Sequence, residues 1–169
     1  MRREGLNLLL YFWVVGYCTG CGHVVGSSLI GNLRSYQSIE QVRGSLTSAG
    51  FADGWKEQKV AVDPKDRRPQ HDFVTLAGPF EDLGCRGALT LTFFNDRLMV
   101  AEFVSEKGAS YLESISQRIK GMPRGPQQQV PIDDRISFGY YREPAGNLRF
   151  RWEDMHLTKE WRDWVQKYS

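Results

Sequence analysis

Apolar and polar residues alternate with different periods in different parts of the chain, and the changes of period mark out the elements. Residues 6–16 (LNLLLYFWVVG) form an almost unbroken apolar run. Farther on, Ile39, Val42, Leu46 and Ala49 recur at helical spacing behind Ser38 and Gln41, a capping-box pair that satisfies orphan amides at a helix start. Gly50 followed by Phe51 predicts a left-handed stop with its hydrophobic partner. The period then shortens to two. Residues 59–62 and 73–76 are short β-like runs around the polar insert DPKDRRPQHD, and residues 88–94 set Leu89, Leu91 and Phe93 against Thr90 and Thr92. Asn95 and Asp96 form a turn, and residues 98–104 return as the partner strand, so GALTLTFFNDRLMVAEFV predicts a hairpin.

Helical spacing comes back at Leu112, Ile115 and Ile119, behind a second Ser/Glu pair at Ser110 and Glu113. Residues 121–134, rich in Pro, Gly and Gln, read as a loop. A second hairpin is predicted from residues 135–142 and 148–152 around the turn at 144–147. A last helix begins near Thr158 with Trp161, Trp164, Val165 and Tyr168 on one face. The expectation is an α+β fold: a small antiparallel sheet of about five or six strands with two or three amphipathic helices packed on one face.

Composition limits the chain to one domain. At 169 residues, 41% hydrophobic and 25% charged, it has room for a single core. The net charge of +2, with its longest basic cluster (Lys65, Arg67, Arg68) broken by Asp66, predicts no nucleic-acid partner.

The apolar run at residues 6–16 follows Arg2 and Arg3, which gives it the plan of a signal peptide. It leads into Tyr17-Cys18-Thr19-Gly20-Cys21. This resembles a lipobox, the signal-peptidase II site of bacterial lipoproteins: Thr19 and Gly20 occupy the two small positions, and Cys18 stands where Leu is preferred. Cysteine is obligatory at the lipidated position because the lipid is attached as a thioether. The predicted organisation is a signal peptide at residues 1–20, a lipidated tether at 21–36 with the lipid on Cys21, and one α+β domain at 37–169. In the competing reading, residues 6–31 stay uncleaved as an anchor of ~20 residues or more, long enough to span a bilayer. With Cys18 removed and Cys21 lipidated, Cys85 is the one remaining thiol, so the domain has no internal disulfide.

The lipobox, the tether, the helix around Ser38 and the hairpin through Phe94-Asn95-Asp96-Arg97-Leu98 together resemble the small outer-membrane lipoproteins of the SmpA/OmlA type and their β-lactamase-inhibitor-like relatives, over roughly residues 21–104. The resemblance implies helices packed on one face of a small antiparallel sheet and a role in binding other proteins, either in outer-membrane assembly or as inhibitors. Gly22, where enteric lipoproteins retained at the inner membrane carry an acidic residue, points to the outer membrane, with inner-membrane anchoring as the alternative.

Candidate chemistry is sparse. None of the three histidines, His23, His71 and His156, has a metal-ligand neighbour at zinc spacing, and no cofactor motif is present. A Cys85 nucleophile served by His71 or His156 would make a small envelope hydrolase; the simpler reading is a small residue at a strand entry. Glu102 interrupts an apolar strand, which requires pairing or exposure. Arg149 and Arg151 alternate along a strand, and with Arg135, Arg142 and the aromatic Trp152 they form a candidate contact surface for acidic groups. The function expected from these features is a membrane-tethered protein-binding or scaffolding module with an envelope protein as partner. The alternatives are the Cys85 hydrolase and a secreted enzyme inhibitor.

Overall fold

Asn95 and Asp96 both take positive φ (50° and 56°), the backbone of a type I′ turn whose twist matches that of the strands it joins. That turn connects the two strands at the centre of the fold. The computed structural model describes residues 26–60 and 71–168. In chain order these form α1 (Ile39–Ser48), β1 (Lys56–Lys59), β2 (Phe73–Asp82), β3 (Cys85–Phe94), β4 (Arg97–Ser105), α2 (Gly108–Ser116), β5 (Gln129–Pro131), β6 (Ile136–Arg142), β7 (Leu148–Asp154) and α3 (Met155–Tyr168). The strands make one sheet in the order β1-β2-β3-β4-β7-β6-β5, antiparallel at every pairing. The fold is therefore α+β, as the hydrophobic pattern implies.

The chain builds the sheet in two passes. β1 to β4 form a meander, α2 carries the chain across, and β5 to β7 return so that β7 pairs with β4 through Val100↔Glu153, Ala101↔Trp152, Glu102↔Arg151, Phe103↔Phe150 and Val104↔Arg149. Because side chains alternate between faces, this register sends Ala101, Phe103, Phe150 and Trp152 to the inner face. There they join Leu76, Leu89, Leu91, Phe93 and Phe138 in one buried cluster. Helices α1, through Val42 and Leu46, and α2, through Tyr111 and Ile115, close that cluster.

The opposite, outer face carries a second, smaller core. A register shift at Thr92/Phe93 leaves Met99 as an extra residue in β4, and the bulge lets both Met99 and Val100 join Phe94 and Leu157 of α3. Tyr36, Phe73, Trp161 and Trp164 pack around them. The expectation that the helices share one face is thus corrected, because the tryptophan stripe of α3 finds its apolar partners on the outer face.

Other differences have local causes. The sheet has seven strands among the described residues, rather than five or six, because β5 forms inside the segment read as a loop. β1 covers residues 56–59 and is exposed throughout, so no periodicity announces its start; residues 61 and 62 of the predicted run lie outside the described residues. Ser110 does not cap α2: the helix begins at Gly108 behind Lys107, whose side chain makes no capping bond. Burial of the Tyr111 ring between Phe103 (4.9 Å) and Phe150 (4.7 Å) sets its position instead. α3 starts three residues before Thr158, because Asp154 Oδ1 accepts the amides of His156 and Leu157 and so caps it. The predicted tether is packed from Gly26 to Tyr36, with Leu29, Ile30 and Leu33 each no more than 5% exposed. Spaced among Gly, Ser and Asn, these three residues carry no recognisable period. Residues 1–25, on which the predicted signal peptide and Cys21 fall, lie outside the described residues.

At α1 the structure follows the sequence pattern. Ser38 and Gln41 form both bonds of the capping box. Phe51 N–H donates to Leu46 O (2.8 Å) and Gly50 N–H to Thr47 O (3.0 Å), the paired bonds of a left-handed helix end, with Gly50 at φ 86°.

The Asn95–Asp96 turn ties several elements together. Asn95 exchanges bonds with Asp72 (N–H to O at 2.8 Å, Oδ1 from N–H at 3.0 Å), and Asp96 Oδ1 accepts the first amide of α1, Ile39 N–H, at 2.9 Å. Arg97 beside it holds Glu160 of α3 through two bonds, 3.1 and 2.7 Å. Asp96→Ala removes the bond to Ile39 and puts a less tolerant residue at positive φ, so it is expected to lower the free energy of unfolding by about 1–2 kcal/mol in urea titration. Asp96→Gly, which relieves the backbone, should lose less.

Candidate functional site

The outer face of the sheet is only partly covered by α3. Beyond that helix the uncovered positions are Thr75 and Ala77 on β2, Ala88 and Thr90 on β3, Glu102 and Val104 on β4, Arg149 and Arg151 on β7, and Tyr141 on β6. Most are half-buried, with Ala88 exposed. Small side chains on β2 and β3 make a floor, and long charged ones on β4 and β7 rise beside it.

Glu102 is the centre of the charged part. Its side chain is 16% exposed. Its Oε1 accepts from Arg151 Nη1 at 2.7 Å and its Oε2 from Arg149 Nη1 at 3.2 Å. Arg151 continues to Glu153 through Nε at 2.9 Å, and Glu153 accepts from Arg162 of α3 at 3.2 Å. Arg149 continues to Glu143 in the β6–β7 turn through Nε at 2.8 Å and through Nη2. Three carboxylates and three guanidinium groups thereby alternate along one line from α3 to the turn. Charge-assisted bonds of this kind are shorter and stronger than neutral ones, and the planar guanidinium gives them direction.

The network shifts its members in consistent ways. Burial lowers the affinity of Arg149 and Arg151 for their protons, but the hydrogen bonds they donate to their carboxylate partners and the surrounding negative charge outweigh it and hold both above the usual arginine value. Tyr141, whose hydroxyl is 3.5 Å from Glu102 Oε1, is raised by burial first and then by the Glu102 charge. At the end of the face away from α3, Pro79, Ala88, Val104, Glu106 and Asn147 line a shallow groove of about 460 Å³.

Of the contact residues expected from sequence, Arg149 and Arg151 come together on this face, but with their charge already matched by Glu102, Glu143 and Glu153. They are not a free basic row. Arg135 lies elsewhere, its guanidinium 4.5 Å from the Tyr36 ring centroid and its Nε 3.7 Å from the buried carboxylate of Asp154. Arg142 bonds the carbonyl of Gly146. Trp152 is corrected outright: it points to the inner face, 2% exposed and tilted against Phe138 at 5.0 Å, so it belongs to the core and not to a contact surface. The alternation that brings Arg149 and Arg151 outward sends Trp152 inward. Glu102, Glu143, Glu153 and Arg162 are the members that sequence reasoning did not bring into the site, since their meeting depends on the β4–β7 register, the β6–β7 turn and the placement of α3. The interrupted apolar strand at Glu102 was the one available signal.

The geometry also separates Cys85 from both histidines. Cys85 opens β3 and is buried, with Asp82 as its cross-strand partner. His71 lies tilted against Trp164 (ring centroids 3.8 Å apart) near the far end of that ten-residue strand, about 30 Å along it. His156 lies in the first turn of α3 at the same far end, beyond the Val100↔Glu153 pair. Neither imidazole serves the Cys85 thiol. Near Cys85 the prominent polar contact is instead Tyr111, whose buried hydroxyl donates to Asp82 Oδ2 at 2.7 Å. Among the described residues no group of His, Cys, Asp and Glu could hold a metal ion, and no helix is long and apolar enough to cross a membrane. The chain matches no protein family model, no curated protein and no solved structure.

Glu102→Ala takes the shared carboxylate from between Arg149 and Arg151, leaving Arg149 with Glu143 alone and Arg151 with Glu153 alone. It should cost about 1–2 kcal/mol in urea unfolding, between the values for exposed and buried pairs. An unchanged midpoint would mean that the ion lattice contributes nothing to stability. A second expectation concerns alkaline pH. Tyr111 is pushed far above its ordinary value by burial and then by its bond to Asp82, and Tyr141 is also raised. The folded state keeps these protons longer than the unfolded state, so their contribution is complete below about pH 10 and declines as pH rises past it. Tyr111→Phe should flatten that decline, measured as the urea midpoint between neutral pH and the alkaline limit.

Proposed function

We propose that this chain is a lipid-anchored binding module of the bacterial envelope, attached through Cys21 and engaging another envelope protein with the open part of its outer sheet face. The observation that carries the binding role is the character of that face: small side chains on β2 and β3 beside an ion lattice whose members are already ordered. Ordering side chains on association costs about 0.5–1.5 kcal/mol for each rotamer-rich group. Arginines held beforehand by Glu102, Glu143 and Glu153 avoid much of that cost. Their alternation with carboxylates presents a fixed pattern of both charges, which selects a complementary partner and rejects others. The partner suited to it is therefore a protein with its own mixed polar surface, and the outer membrane facing the periplasm is the proposed location.

The attachment rests on the run from Arg2 to Cys21 with its small residues Thr19 and Gly20. One preparation tests both parts. Membranes from cells expressing the full chain are crosslinked, and the extracted protein is examined for intact mass and for a stoichiometric partner. The expected result is a mass for an acylated chain beginning at Cys21, together with a partner whose recovery falls sharply in Ala88→Arg and Thr90→Arg, which obstruct the open face. Recovery unaffected by both substitutions would rule out this face as the contact surface, and no partner under any crosslinking condition would rule out the binding role.

A further inference from the structure

The first described residues are already packed, and this limits how far an anchored domain can move from its membrane. Ser27 N–H donates to Ser35 Oγ at 3.1 Å, Ser35 N–H to Ser27 O at 2.9 Å, and Leu29 N–H to Leu33 O at 2.9 Å, while Ser28 bridges Arg34. The small loop so closed inserts Leu29, Ile30 and Leu33 into the inner core. Its start is fixed as firmly as its tip: a Cβ on Gly26 would lie 1.6 Å from Ser35 O, so the entering backbone runs directly against Ser35. Immediately afterwards Tyr36 N–H donates to Leu98 O at 3.1 Å and Leu98 N–H to Gln37 O at 2.9 Å. The chain therefore enters the fold at the end of the sheet where β4 begins.

The groove and the β6–β7 turn lie at the opposite end. β4 runs nine residues, about 27 Å from Arg97 to Ser105. Val104, near its close, lines the groove and pairs with Arg149 beside the turn. From Cys21 to Gly26 there are five residue steps, which span at most about 18 Å when fully extended.

We propose that the end of the sheet carrying Ser28, Ser35 and Tyr36 is held against the lipid surface, and that the groove and the turn at residues 143–147 are presented away from it. This rests on Cys21 being the lipidated residue. The proximal end lies within one short span of the lipid, whereas the distal end has the added length of the sheet. A partner would meet the domain at the side remote from the bilayer, with Glu143, Asn147 and the groove at Val104 foremost.

The test uses full-length acylated protein in phosphatidylcholine/phosphatidylglycerol vesicles that carry an energy acceptor on a headgroup. Ser28→Cys and Ala145→Cys, both at exposed positions, each receive a donor dye, and the unsubstituted protein, with Cys85 buried, controls for labelling. Transfer from the Ser28 position should exceed that from Ala145 several-fold. Inserting about twenty Gly/Ser residues between Gly22 and His23 should bring the two values together, because a flexible linker of that length removes the constraint. Equal transfer at the two positions in protein of acylated mass overturns the orientation and leaves the Cys21 reading standing. A mass without lipid overturns the Cys21 reading, and the orientation with it.

Discussion

The pairing of β4 with β7 holds the molecule together. It joins two strand groups that are separate along the chain, and it involves only residues 100–104 and 149–153. On the inner face it places Phe103 and Phe150 on either side of the Tyr111 ring, which is buried completely. On the outer face it places Glu102 opposite Arg151, from which the ion lattice extends in both directions. A shift of one residue would exchange the faces of every side chain in β7. Arg149 and Arg151 would then enter the core and Phe150 and Trp152 the solvent, so packing and charge enforce the same register.

The seam also connects α3 to the rest. Asp154 ends β7 and caps the helix, Glu153 binds Arg162 two turns into it, and Leu157 fills the outer core made by Phe94, Met99 and Val100. Arg97 at the start of β4 holds Glu160 from the other side. The helix therefore covers one part of the outer face and leaves the rest as an open, ordered surface. In the proposed account that division is what the protein uses: one end of the sheet near the lipid, the charged and small-residue face free, and the groove at Val104 farthest from the membrane.

Much of this was legible from local signals. The helix cap at Ser38, the stop at Gly50 and Phe51, the alternation of Leu89, Leu91 and Phe93, and the Asn95–Asp96 turn each depend on residues a few positions apart. What eluded the reading depends on distant partners. Leu29, Ile30 and Leu33 have no period because they plug a core built by other elements. Trp152 and Arg151 are sorted to opposite faces by strand alternation, but which face is buried is decided by β4 and β6. The edge strand β1 is polar throughout and gains its geometry from β2 alone. The candidate site was legible in part: Arg149 and Arg151 stood out, and the carboxylates that neutralise them emerged only with the β4–β7 register.

If that seam is the determinant of the fold, the two strand groups cannot open independently. Native-state hydrogen exchange of residues 100–104 and 149–153, followed through increasing denaturant, tests this most directly. The protected amides of both segments should converge on one free energy, equal to that of global unfolding measured optically. Exchange of residues 149–153 and α3 at a distinctly lower free energy than β2 to β4 would show that the second strand group opens by itself, and would contradict the account.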